Sequence, residues 1–402
     1  MNYTVSEVLE YIEQEDVKFV RLAFCDAFGR QKNIAVMPDE LRRAFESGIS
    51  FDASAIAGFT GAVKSDLLLF PLPSTFVTLP WRSFQGKVVR MFCDIRYPDG
   101  RPFERDSRAV LRRAVEAAEE KGISVFFGSE YEFYLFETDE KGRPTKTPFD
   151  SASYMDVSPE DKGEDIRREI CLTLLDMGIK PECSHHEEGP GQNEIDFRYS
   201  AAMTAADNAV NFISVVKAAA VQNGLYADFS PKPLDGESGN GLHINMSLRS
   251  ADGRDLMSPF MAGIMAHIRE MSAFLNPCRA SYLRLGEKKA PKYITWSPEN
   301  RSQLIRIPAA SGEYERIELR SPDPMANPYL AYALLIYAGL DGVKRELPLS
   351  PSTDVDLFTA DESLLKKLDK LPDSLEEAVE LAKSSAFLAQ ALPEGFVACL
   401  KG

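Results

Sequence analysis

Residues 184–197 read SHHEEGPGQNEIDF, an acidic segment interrupted by Gly-Pro-Gly that continues into an apolar alternation typical of a strand. The segment contains two histidines and four carboxylates within fourteen residues. Carboxylates that lie close together raise one another's pKa and repel, unless a cation or a proton is held between them. From this segment alone, a divalent-metal site and a solvated acidic loop before a strand both remain open.

A second segment, residues 128–136, favours the metal site. It reads GSEYEFYLF, and its apolar flanks indicate a buried strand. Glu130 and Glu132 are two positions apart, so in a strand both side chains point to the same face. Two carboxylates on one face of a buried strand are unfavourable without a cation, and metal ligation is therefore preferred over a solvated face.

A third segment, residues 232–248, reads KPLDGESGNGLHINMSL and joins a glycine-rich loop to a strand. His243, Asn245 and Ser247 alternate with apolar residues and share one face of that strand. Backbone amides freed by glycine can approach a phosphate or a carboxylate closely. The spacing fits neither a P-loop nor a dinucleotide motif, and a single histidine in a strand is often a hydrogen-bonded core residue, so both interpretations stay open.

A fourth pair of segments, NRSQLIRIP at 300–308 and YERIELR at 314–320, is rich in arginine. Arg316, Glu318 and Arg320 share one face of a strand, and two further arginines lie just upstream. Clustered arginines among apolar residues predict bidentate binding of phosphate or carboxylate. The alternative, a set of structural salt bridges, would require many buried partners at once. Carboxylate-bound metals beside arginines are typical of phosphoryl transfer from a nucleotide.

Length and composition limit the class of protein. A chain of 402 residues predicts two domains, and the turn at Asp99-Gly100 places the boundary between residues 1–100 and 101–402. Hydrophobic residues at 44% and charged residues at 27% are typical of a globular protein. A net charge of −15 argues against a nucleic-acid or anionic-membrane partner. The sequence has neither a signal-peptide pattern nor a long apolar run, which predicts a cytoplasmic location.

The six cysteines are scattered without CxxC pairs, which predicts reduced thiols. Cys183 lies near His185 and Glu187, but a single cysteine among hard oxygen ligands argues against zinc. In the small-residue stretch near residue 52, local chemistry predicts that Asp52 caps a turn.

Taken together, the segments resemble the glutamine synthetase family over almost the whole chain. Glu130-Tyr131-Glu132 is similar to the paired metal carboxylates of that family, and residues 185–194 to its second acidic motif. Residues 232–247 resemble the nucleotide-site signature, and residues 300–308 and 316–320 the arginine motifs. The resemblance implies an α+β fold with an N-terminal β-grasp domain and a catalytic domain whose curved antiparallel sheet is flanked by helices. It also implies hexameric rings, usually stacked as dodecamers, with active sites between neighbouring subunits.

The resemblance also implies two divalent cations, Mg²⁺ or Mn²⁺, in each site. One would be held by Glu132, Glu187 and Glu194. The other would be held by Glu130, His243 and Glu318.

The same resemblance implies ATP and glutamate as substrates. The residues near ATP would be Arg301, Arg306 and Arg316 at the phosphates, with Asn245 and Ser247 beside the nucleotide. The residues near glutamate would be Arg284 at the α-carboxylate, Gly239 at the amino group and Arg320 at the γ-carboxylate as it becomes an acyl phosphate. Asp52 matches an aspartate that a neighbouring subunit contributes to the ammonium pocket, so Asp52, Arg301 and Arg320 are the predicted catalytic residues.

Three positions depart from the family pattern. Residues 284–291 read RLGEKKAP, which places Lys289 where the family has a glutamate that takes a proton from ammonium. A cation there would repel ammonium and could pair with Asp52. Ser238 replaces an asparagine, and Asn245 replaces a histidine found in many members. The chain ends at Gly402, short of the helical segment that links rings in related enzymes, which leaves a hexamer and a dodecamer open.

Three functions follow from these observations. The first is an ATP-dependent ligase of the glutamine synthetase type that joins the γ-carboxylate of glutamate to ammonia or an amine. The second is a γ-glutamyl-amine ligase with a larger acceptor, whose negative or neutral group lies near Lys289. The third is a catalytically weak homologue that binds ATP or glutamate and has a regulatory role.

Overall fold

The computed structural model describes residues 3–59, 65–82, 86–310 and 312–401. Within these ranges the strands are β1 Phe19–Cys25, β2 Gln31–Val36, β3 Ile49–Asp52, β4 Asp66–Pro71, β5 Val77–Thr78, β6 Val88–Arg96, β7 Ile123–Thr138, β8 Pro144–Pro148, β9 Pro181–His186, β10 Gln192–Ala201, β11 Leu225–Asp228, β12 Leu242–Ser250, β13 Trp296–Pro298, β14 Ile305–Ile307 and β15 Ile317–Leu319. The α-helices are α1 Val5–Gln14, α2 Leu41–Ser47, α3 Ser107–Glu119, α4 Glu164–Asp176, α5 Ala202–Gln222, α6 Met257–Leu275, α7 Arg279–Arg284, α8 Pro328–Lys344, α9 Glu362–Leu365, α10 Leu375–Ser384 and α11 Ala386–Ala391.

The first sheet belongs to the N-terminal part of the chain. Its strand order is β2-β1-β6-β4-β3, with β5 beside β6, and β1 runs parallel to β6. Val20, Leu22 and Phe24 alternate along β1 and are buried in a core that also contains Val8 and Ile12 of α1. Their spacing of two residues places them on one face of the strand, so the sequence pattern of β1 accounts for this core.

The other face of the first sheet packs against the larger part of the molecule. Ala23 and Cys25 of β1 belong to the second hydrophobic core rather than to the first. Hydrogen bonds also cross this boundary: Ser214 Oγ of α5 donates to the side chain of Gln31 at 2.6 Å, and Asn327 Nδ2 donates to the backbone oxygen of Ala27 at 3.3 Å. Both faces of β1 are therefore buried. The domain division at residue 100 remains a prediction; the chain makes a tight turn at residues 97–101 there.

The second sheet has the order β13-β14-β15-β12-β7-β10-β9, with β8 and β11 also paired to β7. All its pairs are antiparallel except β13 with β14. The expected α+β organisation, with a large antiparallel sheet flanked by helices, is confirmed. The 16-residue strand β7 lies at its centre and pairs with four neighbouring strands.

Alternation along β7 separates the core from the candidate site. Phe127 stacks on Tyr332 of α8 with ring centroids 4.2 Å apart, and Tyr131 lies 5.3 Å from the ring of Phe212 in α5. Each such aromatic side chain contributes about 1.5–3 kcal/mol by burial. Glu130 has the opposite parity in the strand, so its side chain lies on the face that is turned away from these helices.

Among the described residues, no helix is both long enough and apolar enough to cross a membrane. The six cysteines are all described and free, as the sequence predicts.

Candidate active site

Strand register brings the predicted acidic residues together on one face of the second sheet. Between β7 and β10, Glu132 lies opposite Glu194. Between β7 and β12, Glu130 lies opposite His243. Residues directly opposite each other in an antiparallel pair have Cβ atoms about 4.5–5.5 Å apart, so their side chains meet.

Most of the predicted site residues line one cavity of about 510 Å³. Those that line it are Glu130, Glu132, Glu187, Glu194, Gly239, His243, Arg284, Lys289, Arg301, Arg306, Arg316 and Arg320. Asn245 and Ser247 instead line an adjacent cavity of about 160 Å³, which shares Glu130 and Arg316 with the first. Glu318 is fully buried. Within the described ranges, Asp52 lies outside the lining of both cavities.

Two groups of side chains that line the larger cavity have ligand atoms close enough to share a cation. In each group the atoms lie within 4.8 Å of one another; the groups are Glu130, Glu194 and His243, and His185, Glu187 and Glu194. Glu194 belongs to both. The predicted ligand sets remain predictions, but this arrangement adds His185, which the sequence analysis did not assign. Nε2 of His185 is 3.2 Å from Oε1 of Glu194, because the two residues are opposite each other in β9 and β10.

The two other predicted ligands have additional contacts. Oε2 of Glu132 accepts hydrogen bonds from the backbone nitrogen of Gly241 at 2.7 Å and from Nε2 of Gln192 at 3.2 Å. Oε1 of Glu318 lies 3.6 Å from Nδ1 of His243, which is itself 3.0 Å from Oε2 of Glu130. Glu130, His243 and Glu318 thus form a contiguous chain of side chains.

The carboxylates are incompletely neutralised by the protein. Burial, followed by repulsion from Glu132 and Glu194, raises the pKa of Glu187 to about 8. Burial also raises the pKa of Glu132. Burial acts in the same direction on Glu130, but the hydrogen bonds from His243 and Asn245 outweigh it and lower its pKa to about 2. Several buried oxygen donors with one or two imidazoles fit a hard divalent cation.

The arginines are held by hydrogen bonds to nearby residues. Glu318 accepts from Nη1 of Arg306 at 2.5 Å and from Nη1 of Arg320. Nε of Arg316 donates to Oδ1 of Asn245 at 2.9 Å. The interpretation of these arginines as partners in structural salt bridges is therefore partly correct, because the buried Glu318 is the partner of both Arg306 and Arg320. Arg301 is exposed at the cavity wall.

The predicted glutamate contacts lie in a tightly packed part of the wall. Arg284 is buried and makes four hydrogen bonds to the backbone oxygens of Asn240, Ser321 and Pro322, which leaves one of its five N–H groups for a ligand. A Cβ atom on Gly239 would lie 2.8 Å from Cδ of Arg284 and 2.4 Å from a backbone oxygen. Only glycine fits at residue 239 in this conformation.

At the position where the amine is expected to enter, Lys289 is paired with a carboxylate other than Asp52. Its Nζ atom is 2.7 Å from Oε1 of Glu188 and 4.6 Å above the ring of Tyr154. Asp52 accepts hydrogen bonds from the backbone nitrogen and the hydroxyl of Ser54, at 2.9 and 2.7 Å, and so caps a turn of 3₁₀ helix at Ala53–Ala55. The predicted capping role of Asp52 is confirmed, and its role beside ammonium remains a prediction.

Comparisons with known proteins agree with the fold. The model of the glutamine synthetase β-grasp domain matches residues 16–98, and that of the glutamine synthetase catalytic domain matches residues 104–399. A glutamine synthetase of Clostridium saccharobutylicum is 44% identical over 406 residues, which cover 97% of this chain and 91% of that protein. A glutamine synthetase of Methanosarcina mazei is 44% identical over 407 residues, with the same coverage.

Two solved structures are also similar. One, described as a GmaS/ADP complex, has a TM-score of 0.89 and 28% sequence identity, and covers 100% of this chain and 94% of that chain. The other, described as GmaS without ligand, has a TM-score of 0.89 and 28% identity, and covers 98% of this chain and 95% of that chain. The expected combination of a β-grasp domain with this catalytic fold is thereby confirmed.

Proposed function

The chain belongs to the glutamine synthetase family, and we propose that it joins the γ-carboxylate of glutamate to ammonia or an amine with the hydrolysis of ATP to ADP and phosphate. The observation that carries this proposal is the convergence of carboxylates, histidines and arginines on one cavity, through the register of β7, β10 and β12. Relatives that share nearly the full length of the chain and are named glutamine synthetase support the same reaction.

The acidic end of the cavity would hold Mg²⁺ or Mn²⁺. The residues that would hold two such cations are Glu130, Glu132, Glu187, Glu194, His243 and Glu318, with His185 as a further donor. Bound cations would supply neutralisation of the nucleotide phosphates. The raised pKa of Glu187 supports this assignment, because a cation relieves the repulsion that raises it.

The arginine side of the cavity would hold ATP. Arg301, Arg306 and Arg316 would contact the phosphates, and Asn245 and Ser247, which line the adjacent cavity, would lie beside the nucleotide. The solved neighbour in complex with ADP supports a nucleotide ligand for a protein of this fold.

Glutamate would lie between Gly239, Arg284 and Arg320. Its γ-carboxylate oxygen takes the γ-phosphoryl group of ATP, which gives ADP and an acyl phosphate stabilised by Arg320. The amine nitrogen then attacks the carbonyl carbon, phosphate leaves, and the amine loses a proton. Each step depends on alignment of the reactants and on charge neutralisation, to which Arg306, Arg316 and Arg320 would contribute from the positions in which Glu318 and Asn245 hold them.

Asp52 would act on a neighbouring subunit. Its side chain is exposed and lies in the N-terminal sheet, at the end of β3. We propose a homo-oligomer, a hexamer or a dodecamer, in which this carboxylate completes the ammonium pocket of the next subunit. An Asp52→Ala variant mixed with a Glu187→Gln variant tests this point, because mixed oligomers would regain sites with both residues intact.

The reaction is tested by phosphate release from ATP with glutamate and Mg²⁺ or Mn²⁺, across ammonia, methylamine and longer amines, with the amide product identified by mass. Turnover with ammonia supports a glutamine synthetase, and turnover only with larger amines supports a γ-glutamyl-amine ligase. The absence of turnover with every amine, in a protein that still binds ATP, would contradict the proposal and favour the regulatory homologue.

A further inference from the structure

Lys289 lies against two cavity side chains that together form a cation-binding site. Its ammonium is 2.7 Å from Oε1 of Glu188 and 4.6 Å from the centre of the Tyr154 ring. A carboxylate beside an aromatic face binds an ammonium through an ion pair and a cation–π contact at once. The hydroxyl of Ser238 lies 3.2 Å from the other oxygen of Glu188, which restrains that carboxylate.

This cation-binding site is adjacent to the candidate metal ligands. The Tyr154 ring lies edge to face against the imidazole of His185, with ring centroids 5.3 Å apart. His185 in turn belongs to the group formed with Glu187 and Glu194. The ammonium of Lys289 is therefore separated from the acidic cluster by one aromatic side chain, within the cavity where the amine must react.

A tight turn presents Lys289 to this site. The backbone nitrogen of Gly286 donates to the oxygen of Ala290 at 3.0 Å, and that of Ala290 donates to the oxygen of Glu287 at 3.1 Å. Lys288 has a φ of +47°, in the left-handed region that lysine disfavours. The backbone at Lys288 is therefore strained. The contacts of Lys289 with Glu188 and Tyr154 help to offset this strain.

The ion pair between Lys289 and Glu188 is weak enough for another ammonium to displace the lysine. The side chains of Lys289 and Glu188 are 46% and 35% exposed, and a half-exposed ion pair gains little over its hydrated ions. A second ammonium in the cavity can therefore take the place of the first. The lysine is tethered, however, so it competes as if present at roughly millimolar concentration.

We propose that Lys289 is a tethered occupant of the acceptor subsite, and that the preferred acceptors are primary alkylamines whose ammonium replaces it between Glu188 and Tyr154. This inference rests on the proposed function. The subsite already holds a primary ammonium on a four-carbon stem, so an alkylamine of similar length reproduces both the charge contact and the contact of the stem. Ammonium reproduces the charge contact alone and competes less well.

The test compares wild-type protein with Lys289→Ala, which removes the charge and leaves the space of the lysine stem open to the alkylamine. With ATP and glutamate saturating, KM for butylamine is expected to fall at least tenfold, and KM for ammonia is expected to fall as well. Glu188→Gln is expected to raise KM for butylamine at least tenfold. Lys292→Ala is the matched control: Lys292 pairs with Asp373 at 2.7 Å and, within the described ranges, lies outside the cavity lining, so KM for butylamine should not change.

A second measurement separates this inference from the proposed reaction. Isothermal titration of butylammonium is expected to show binding at least tenfold tighter to Lys289→Ala than to wild type, whether or not the protein turns over. If no amine is turned over but this difference is found, the proposed reaction is wrong and the subsite stands. Equal affinity in the two proteins, or an unchanged KM for butylamine in Lys289→Ala, would overturn the subsite.

Discussion

Nε2 of His186 lies 2.8 Å from Oδ1 of Asp150, and the other ring nitrogen lies 2.6 Å from the backbone oxygen of Glu187. Both neighbours accept hydrogen bonds, so the buried imidazole donates from both nitrogens and is charged. Burial lowers the pKa of His186, but the bonds to Asp150 and Glu187 outweigh it and raise the pKa. Oδ1 of Asp150 also accepts from the backbone nitrogen of Gly191 at 2.9 Å, so this ion pair holds both sides of the turn next to Glu187.

The first prediction concerns this ion pair. Asp150→Asn leaves the buried charge of His186 with only the carboxylate of Asp161, which is already paired with Arg167, and we expect the free energy of unfolding to fall by about 3 kcal/mol. Urea unfolding followed by circular dichroism measures the change. Asp252→Asn, in the exposed turn after β12, is the control and should lower the midpoint much less, because its ion pair with Arg254 is exposed to solvent. Equal midpoints for the two variants would show that the buried pair contributes little.

Part of the site follows from the sequence alone because it depends on alternation within single strands. Glu130 and Glu132 are two residues apart in a strand whose other face is aromatic, so their common face is readable without a structure. The same alternation predicts that His243 and Asn245 share a face. In both strands the hydrophobic face must pack against the helices, so the polar face lies on the opposite side of the sheet.

Other contacts depend on pairing between segments, which a single sequence does not specify. His185 reaches Glu194 because the turn at residues 187–191 sets the register of β9 against β10, and a shift by one residue would turn His185 to the other face. Lys289 meets Glu188 across a hundred residues of sequence, through the packing of two loops. The prediction that Lys289 repels ammonium did not take Glu188 into account, because only the tertiary structure shows this ion pair.

The second prediction compares two buried carboxylates that differ in their neighbours. Glu187 lies among other carboxylates, which together with burial raise its pKa to about 8, whereas Glu318 is the partner of Arg306 and Arg320. Because the pKa of Glu187 is higher in the folded than in the unfolded protein, the free energy of unfolding falls as the pH rises from the pKa of the unfolded state toward 8. Glu187→Gln removes this loss and is expected to increase the free energy of unfolding at pH 7 by about 1–3 kcal/mol. Glu318→Gln is expected to decrease it by about 3 kcal/mol, because two arginines lose their counter-ion.

Urea unfolding of both variants in EDTA checks the opposite signs. The chelator matters because bound cations would stabilise wild type through the same carboxylates. A loss of stability in both variants would show that repulsion at Glu187 is already relieved within the protein.

The third prediction concerns the close packing at Gly239. In Gly239→Ala the new Cβ atom would lie 2.4 Å from the backbone oxygen of Pro231 and 2.8 Å from Cδ of Arg284, so the loop or the arginine must move. A shift of about 1 Å in a substrate-positioning group can lower the rate by about 100-fold, and we expect a loss of this size in kcat/KM for glutamate. Gly236→Ala, in the same loop, meets no atom within 4 Å and has only the cost of its positive φ. A similar kcat/KM in the two variants would contradict the steric argument.

The fourth prediction is that cation binding releases protons. With a pKa of about 8, Glu187 is largely protonated at pH 7 in the cation-free protein, whereas a metal ligand must be a carboxylate. The affinity for Mn²⁺ should therefore rise with pH up to about 8 and become constant above it. The rise should be at most about tenfold per pH unit for each proton released. Titration calorimetry in buffers of different ionisation enthalpy measures the release directly: the heats should differ at pH 7 and converge at pH 9. In Glu187→Gln the difference at pH 7 should become smaller but not disappear, because Glu132, His185 and His243 also have raised pKa values and lose protons when they bind a cation. If it persists unchanged, the released proton comes from another group.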